Sequence, residues 1–116
     1  MKNYFNFKRP FILHIVTYYD RSEKVWCAHC LDFNLVEDGR SSTEAERRLA
    51  SVVKSYLRET KKRKFREDEV YAPAPQYFWD LIMKSQEIKV RRESKKFLIP
   101  YLSFKSPPVD AATSVQ

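Results

Sequence analysis

A chain of 116 residues, 43% hydrophobic and 15% aromatic, holds enough apolar material for one core and too little length for a second independent domain. Its charged fraction of 32% puts most of the surface in water, and its longest uncharged apolar run, FILHIVTYY, is far shorter than the roughly 20 residues of a membrane span, which excludes a membrane partner. The formal charge of +7 is uneven, with eight Lys/Arg against seven Asp/Glu in residues 1–50 and fourteen against eight in residues 51–116, so a nucleic-acid or acidic-protein partner would meet the C-terminal half.

The opening MKNYFNFKRPF has no apolar core followed by small residues at a cleavage site, so it does not read as a signal peptide and a cytoplasmic location is expected. Residues 11–19 are β-branched and aromatic on both faces, which predicts a central strand. The polar stretch 20–24 has hairpin length, and residues 25–30 resume as a second, antiparallel strand. Residues 33–37 suit a third short strand, ended by Asp38-Gly39, where the only glycine in the chain can supply a positive φ.

Ser41 followed three residues later by Glu44 has capping-box spacing, with the glutamate expected to reach back to the serine amide. Ala45, Leu49, Val52, Val53, Tyr56 and Leu57 then recur at three- and four-residue steps, a helix stripe to be buried on the sheet. The helix should fray in the cationic run 61–64. Pro73 and Pro75 make 66–76 an extended linker, and Phe78, Leu81 and Ile82 predict a second, shorter helix over 76–86. Two extended segments follow at 88–93 and 96–104, the latter demoted by Pro100 to an edge or bulged strand. The expected organisation is one domain over 1–105, with a core at 11–60 and an extension at 70–105, then a flexible tail over 106–116.

WCAHCLD, at 26–32, raises a metal or redox question because two cysteines flank a histidine. A structural zinc site needs four ligands and a sharp backbone turn, yet a strand would point Cys27 and Cys30 to opposite faces, and the only other histidine is His14. A thioredoxin-type pair would sit at a helix N-terminus, which this run does not. The expectation is strand sequence with no metal and no cofactor.

The longer run AHCLDFNLVEDGRSSTEAERRLASVVKSYL resembles the HicB-like family, whose domain is an antitoxin-type relative of a truncated ribonuclease H fold. The shared pattern is Cys30-Leu31-Asp32-Phe33, a third strand, Asp38-Gly39, then Ser41 capping a helix that opens on Glu44-Ala45 and closes on Val52-Val53-Tyr56-Leu57. With the preceding hairpin, the likeness covers about residues 11–60. It implies an α+β fold: a βββαβ-type antiparallel sheet with one long helix packed on a face, here extended by a short C-terminal helix and strands. It also implies masking of a small RNA-cleaving toxin. The helix-turn-helix or ribbon-helix-helix that many such antitoxins carry has no counterpart after residue 60, because only one convincing helix follows and no strand precedes two helices.

Ribonuclease H chemistry would need carboxylates converging on magnesium, including one central to the first strand. That strand is uncharged, and Asp32, Asp38 and Glu44 read as strand-end, turn and capping residues, so no catalytic set is expected. Tyr77, Phe78 and Trp79 form a candidate interface anchor, with packing on their own domain as the alternative. Lys61, Lys62, Arg63, Lys64 and Arg66, with Lys89, Arg91, Arg92, Lys95 and Lys96, form a candidate nucleic-acid surface beside Phe65, Tyr71 and Phe97, or a solvated helix end and strand edge. The resulting expectation is a non-enzymatic protein acting by association, its partners being further copies of itself, as a homo-oligomer, or a small toxin-like protein; binding of nucleic acid is the alternative.

Overall fold

The structure, a computed structural model, describes residues 12–85, 87–91 and 96–110. Its elements run β1 (Leu13–Asp20), β2 (Val25–Cys30), β3 (Leu35–Gly39), α1 (Ser42–Lys62), α2 (Glu67–Val70), α3 (Gln76–Lys84), β4 (Glu87–Arg91) and β5 (Tyr101–Lys105). The strands form one sheet in the order β3-β2-β1-β5-β4, so β1 is central, as its two apolar faces require. No helix among the described residues is long and apolar enough to cross a membrane.

The β1–β2 hairpin and the β2–β3 pair are antiparallel. The sheet is nevertheless mixed, because β5 runs parallel to β1, with Leu13 opposite Tyr101 and Thr17 opposite Lys105. A parallel partner needs a long crossover, and the three helices supply it. β4 then pairs antiparallel with β5 and takes the outer edge.

This order corrects the expectation for Pro100. The proline stands just before β5, where its missing N–H breaks no ladder bond, and its carbonyl accepts from the Leu13 amide at 3.0 Å. An interior strand therefore follows directly upon it.

Each sheet face carries its own core. Leu13, Ile15, Ala28 and Cys30 alternate onto one face and meet Ala45, Leu49, Val53 and Leu57 of α1, with Phe97, Ile99 and Tyr101 closing the same cluster. Each fully buried leucine or valine contributes about 1.5–3 kcal/mol, so α1 is held by this stripe and not by propensity. Val16, Tyr18 and Cys27 face the other way, onto Phe78 and Leu81 of α3, Ala74, Phe104 and Val109.

Two segments expected to be irregular are ordered. Residues 67–70 close a helical turn under three consecutive acids, Glu67, Asp68 and Glu69, which suit a helix start. After β5 the chain stays beside β1: the Ser106 amide donates to Thr17 O, Val109 N to Tyr19 O and Arg21 N to Val109 O. A parallel bridge joins Asp20 to Val109, and Arg21 pairs with Asp110 at 3.1 Å. The flexible tail expected from residue 106 is thus corrected for 106–110, where Val109 is buried; residues 111–116 lie outside the described residues.

α1 begins as its spacing predicts, with Ser41 Oγ accepting from the Glu44 amide at 3.1 Å. Glu44 reaches one residue further back than expected, to the Arg40 amide at 3.0 Å. The helix ends in a Schellman arrangement, Phe65 N donating to Thr60 O and Lys64 N to Lys61 O. Lys64 holds the left-handed position of that motif at φ 57. A non-glycine residue there is strained by about 1–2 kcal/mol, partly offset by the extra freedom a glycine has when unfolded, so Lys64→Gly is expected to stabilise the protein by about 0.5–1 kcal/mol. Urea denaturation at constant m-value would read the gain.

Gly39 does not use a positive φ, correcting the expectation for Asp38-Gly39: among the described residues the left-handed ones are Lys24, Asn34, Lys64 and Leu98. Instead Gly39 ends β3, and a Cβ there would lie 2.6 Å from the Ala45 amide nitrogen in the first turns of α1. The glycine is required by the close approach of helix to strand.

Candidate functional site

The WCAHC run is strand β2, and its cysteines diverge as alternation requires. Cys30 enters the α1 core and Cys27 the α3 core, and both are free thiols. Burial first, and then the nearby Asp20 and Asp38 charges, push Cys27 up to about 11. Burial likewise holds Cys30 well above the usual thiol range. Both shifts oppose thiolate formation, the reverse of a reactive pair. Among the described residues no three His, Cys, Asp or Glu side chains converge to hold a metal ion.

His29 is buried between Tyr18 and Phe78, 4.5 Å from the Phe78 ring centre. Its Nε2 donates to Asn34 Oδ1 at 2.9 Å, leaving Nδ1 to accept from the Tyr18 hydroxyl at 3.4 Å. Burial pushes its pKa below the ordinary 6.5, opposed by the Asn34 bond. Below pH 6.5 the unfolded chain therefore binds a proton that the native chain refuses. Stability should decline as pH falls from 6.5 toward the depressed native value, and His29→Gln should reduce that decline, read as urea midpoints across the range.

The three acids weighed for nuclease chemistry go to separate tasks. Asp32, 3% exposed, accepts from the His14 amide at 2.6 Å and lies 3.2 Å from His14 Nδ1. Asp38 pairs with Arg48 at 3.5 Å, and Glu44 caps α1. The loop after β2 is also clamped from its far side, Ala72 N donating to Asp32 O and Ala74 N to Leu31 O.

Tyr77, Phe78 and Trp79 belong to the domain's own second layer, which corrects the anchor reading for Phe78. That ring is 4% exposed against Tyr18 and His29. Trp79 is half-buried, donates from Nε1 to Ala74 O at 3.1 Å and lies 5.2 Å from the His14 ring. Tyr77 is half-buried edge-on to Phe78, and Met83 is a large apolar side chain that α3 sends into solvent. Helical spacing turns 78 and 81 inward and 83 outward.

The cationic positions do not form one bare surface. Lys61, Lys62, Arg63, Lys64 and Arg66 are exposed at the end of α1, but Arg63 pairs with Glu59 at 2.8 Å and Arg66 with Asp68 at 3.1 Å. Lys96 reaches Glu46 on α1 at 2.7 Å. Lys89 and Arg91 are positions of edge strand β4, while Arg92 and Lys95 lie outside the described residues. Of the aromatics, Phe65 and Tyr71 are exposed, whereas Phe97 is fully buried and is corrected as a stacking partner.

A surface not singled out in the sequence lies at the opposite edge of the sheet. α3 leaves the outer part of its face open, and a groove of about 360 Å³ runs there, floored by Val25, Cys27 and Val36. Asp20, Glu23, Glu37 and Asp38 line it. Val36 is 47% exposed on the edge strand. The alternation of Leu35 and Val36 carries the signal in principle, but which of the two lies under a helix depends on where α1 and α3 dock. Searches with this chain find no matching family model, no matching curated protein and no matching solved structure.

Proposed function

We propose that this chain is a non-catalytic, HicB-like domain that works by protein association, antitoxin-like in kind. The observation that carries the reading is the order of its elements. A β1–β2–β3 antiparallel meander leads into a capped α1 packed on one face, as the resemblance implies, and strands follow the helices, although β5 runs parallel to β1 where the resemblance implies an antiparallel sheet. The structural duties of Asp32, Asp38 and Glu44 further support it, since each carboxylate is engaged where it stands.

Purification of the tagged chain from its native cells at low salt, with and without nuclease, tests the proposal. A stoichiometric small basic protein surviving nuclease makes the chain an antitoxin-type inhibitor; recovery of multimers of itself makes it a free-standing oligomer. Recovery as a lone monomer counts against association altogether.

One observation favours a second reading, binding of nucleic acid. Phe65 and Tyr71 are exposed on either side of the turn that follows the cationic run 61–64, an arrangement that offers stacking beside phosphate contacts. Binding would weaken steeply with salt, and neutralising Lys61, Lys62 and Lys64 would flatten the slope by roughly one unit for each phosphate no longer neutralised. No shift of labelled single-stranded RNA or DNA at low salt would dismiss it.

A further inference from the structure

β3 ends the sheet, with β2 as its one neighbour. The Asp38 carbonyl accepts from Arg48 Nη1 at 3.3 Å, so it faces away from β2. In an antiparallel ladder the N–H and C=O of one residue share a side, and that side alternates along the strand. Asp38 and Val36 therefore turn their backbone groups outward, while Leu35, Glu37 and Gly39 face β2. Outward amides and carbonyls on an edge are a template for another strand.

The side chains of the same two residues lie on the α3 face, since Val36 stands opposite His29 and Asp38 opposite Cys27. There the groove floored by Val25, Cys27 and Val36 runs along β3. Asp20, Glu23, Glu37 and Asp38 line it and, among the described residues, no cation does, in a chain whose formal charge is +7. Asp20 is occupied by the Ser22 and Glu23 amides, and Asp38 by Arg48, which reaches over from α1. The carboxylates of Glu23 and Glu37 have no ion-pair partner among the described residues. Burial and then the Asp20 and Asp38 charges push the Cys27 thiol on the groove floor up to about 11, as a negative potential there requires.

Resting on the association reading, we propose that this groove and the β3 edge together take an extended, basic segment of a partner protein, added to the sheet as a further strand. The segment places an apolar residue beside Val36 and lysine or arginine beside Glu37 and Asp38, where opposite charges across a strand pair are favourable. Its backbone bonds to Val36 and Asp38 give affinity, displacing Arg48 from the Asp38 carbonyl, and the side chains between them give specificity. A symmetric contact with a second copy is disfavoured, because it would bring the acids of one β3 against those of the other.

Fluorescence anisotropy on the purified chain at low salt tests it, with a labelled octapeptide of lysine and valine that contains the step lysine-lysine-valine. Binding should saturate and should slow hydrogen exchange at the Val36 and Asp38 amides. Glu37→Lys/Asp38→Lys should weaken it at least about tenfold, with circular dichroism confirming the fold. Glu23→Gln, in the β1–β2 turn and outside the ladder, should weaken it about two- to fivefold, the worth of one exposed ion pair. Two further peptides separate edge pairing from plain charge. Glutamate in place of lysine should abolish binding, and methylation of alternate backbone nitrogens, which keeps every charge, should cost at least about tenfold through the lost strand bonds.

Absence of saturable binding overturns the inference, as does equal binding of the methylated peptide or protection that falls outside β3. Self-association of the chain that the double variant abolishes would give the edge to a second copy and overturn it as well. A native partner held equally by the wild type and the double variant leaves the association reading standing and removes this one.

Discussion

Phe97→Ala is expected to lower the unfolding free energy by about 3–5 kcal/mol, the range for removing a large aromatic from a well-packed core. Phe97 is fully buried, lies 4.6 Å from the Tyr101 ring and belongs to the cluster under α1. It stands in the turn before β5, more than thirty residues beyond the end of α1. Its removal would therefore loosen the helix from a distant part of the chain. Phe97→Leu, which keeps most of the volume, should cost well under half as much. Urea titration monitored by far-ultraviolet circular dichroism reads both. A loss below about 1 kcal/mol for the alanine variant would mean that the segment before β5 lies on the surface of the core and not within it.

Gly39→Ala should cost about 3 kcal/mol although it adds a single methyl group. The new Cβ would stand 2.6 Å from the Ala45 nitrogen and 3.1 Å from its Cα, and these are backbone atoms in the capped first turns of α1, which cannot rotate aside. The helix must lift from β3 or β3 must bend, and either movement opens the packing of Ala45 and Leu49 on the sheet. Asparagine separates this cause from a left-handed backbone. At a left-handed site asparagine is tolerated better than alanine, as Asn34 at φ 52 illustrates within this chain. At Gly39 asparagine should be at least as damaging as alanine; a milder asparagine variant would return the position to the turn chemistry that Asp38-Gly39 suggests.

Gly39 also shows how far local reading reaches. The pair Asp38-Gly39 lies within the last residues of the third strand, which covers Leu35–Gly39 where 33–37 was expected. The reason for the glycine was hidden, since the distance to Ala45 depends on how closely α1 settles on β3. Pro100 is similar. Inside the extended run 96–104 it argues for an edge, yet residues 96–100 turn before the strand begins, with Leu98 at φ 69, so the proline never enters the ladder. In both positions the residue type reported a real constraint, and only the neighbouring element said which one.

The candidate surfaces divide in the same way. Alternation alone sends Cys27 and Cys30 to opposite faces, and they lie in different cores. The aromatic triplet at 77–79 is different: helical spacing separates 78 from its neighbours, but the second sheet face had to be in place before Phe78 could be seen to fill it. The acidic groove draws on the first hairpin turn, β2 and β3, whose acids are scattered between positions 20 and 38 and make no run that a charge scan would mark.

By itself the sequence determined the hairpin, the third strand, the capped α1 with its buried stripe, the helix after Pro75 and the strand nature of WCAHC, because each follows from periodicity, capping or turn chemistry within a few residues. Tertiary structure alone decided that β5 inserts beside β1, that Phe97 and Val109 join the two cores, and that, among the described residues, β3 and β4 end opposite sides of one sheet. Those outcomes depend on pairings between residues up to about ninety positions apart, and no local pattern encodes a partner that distant.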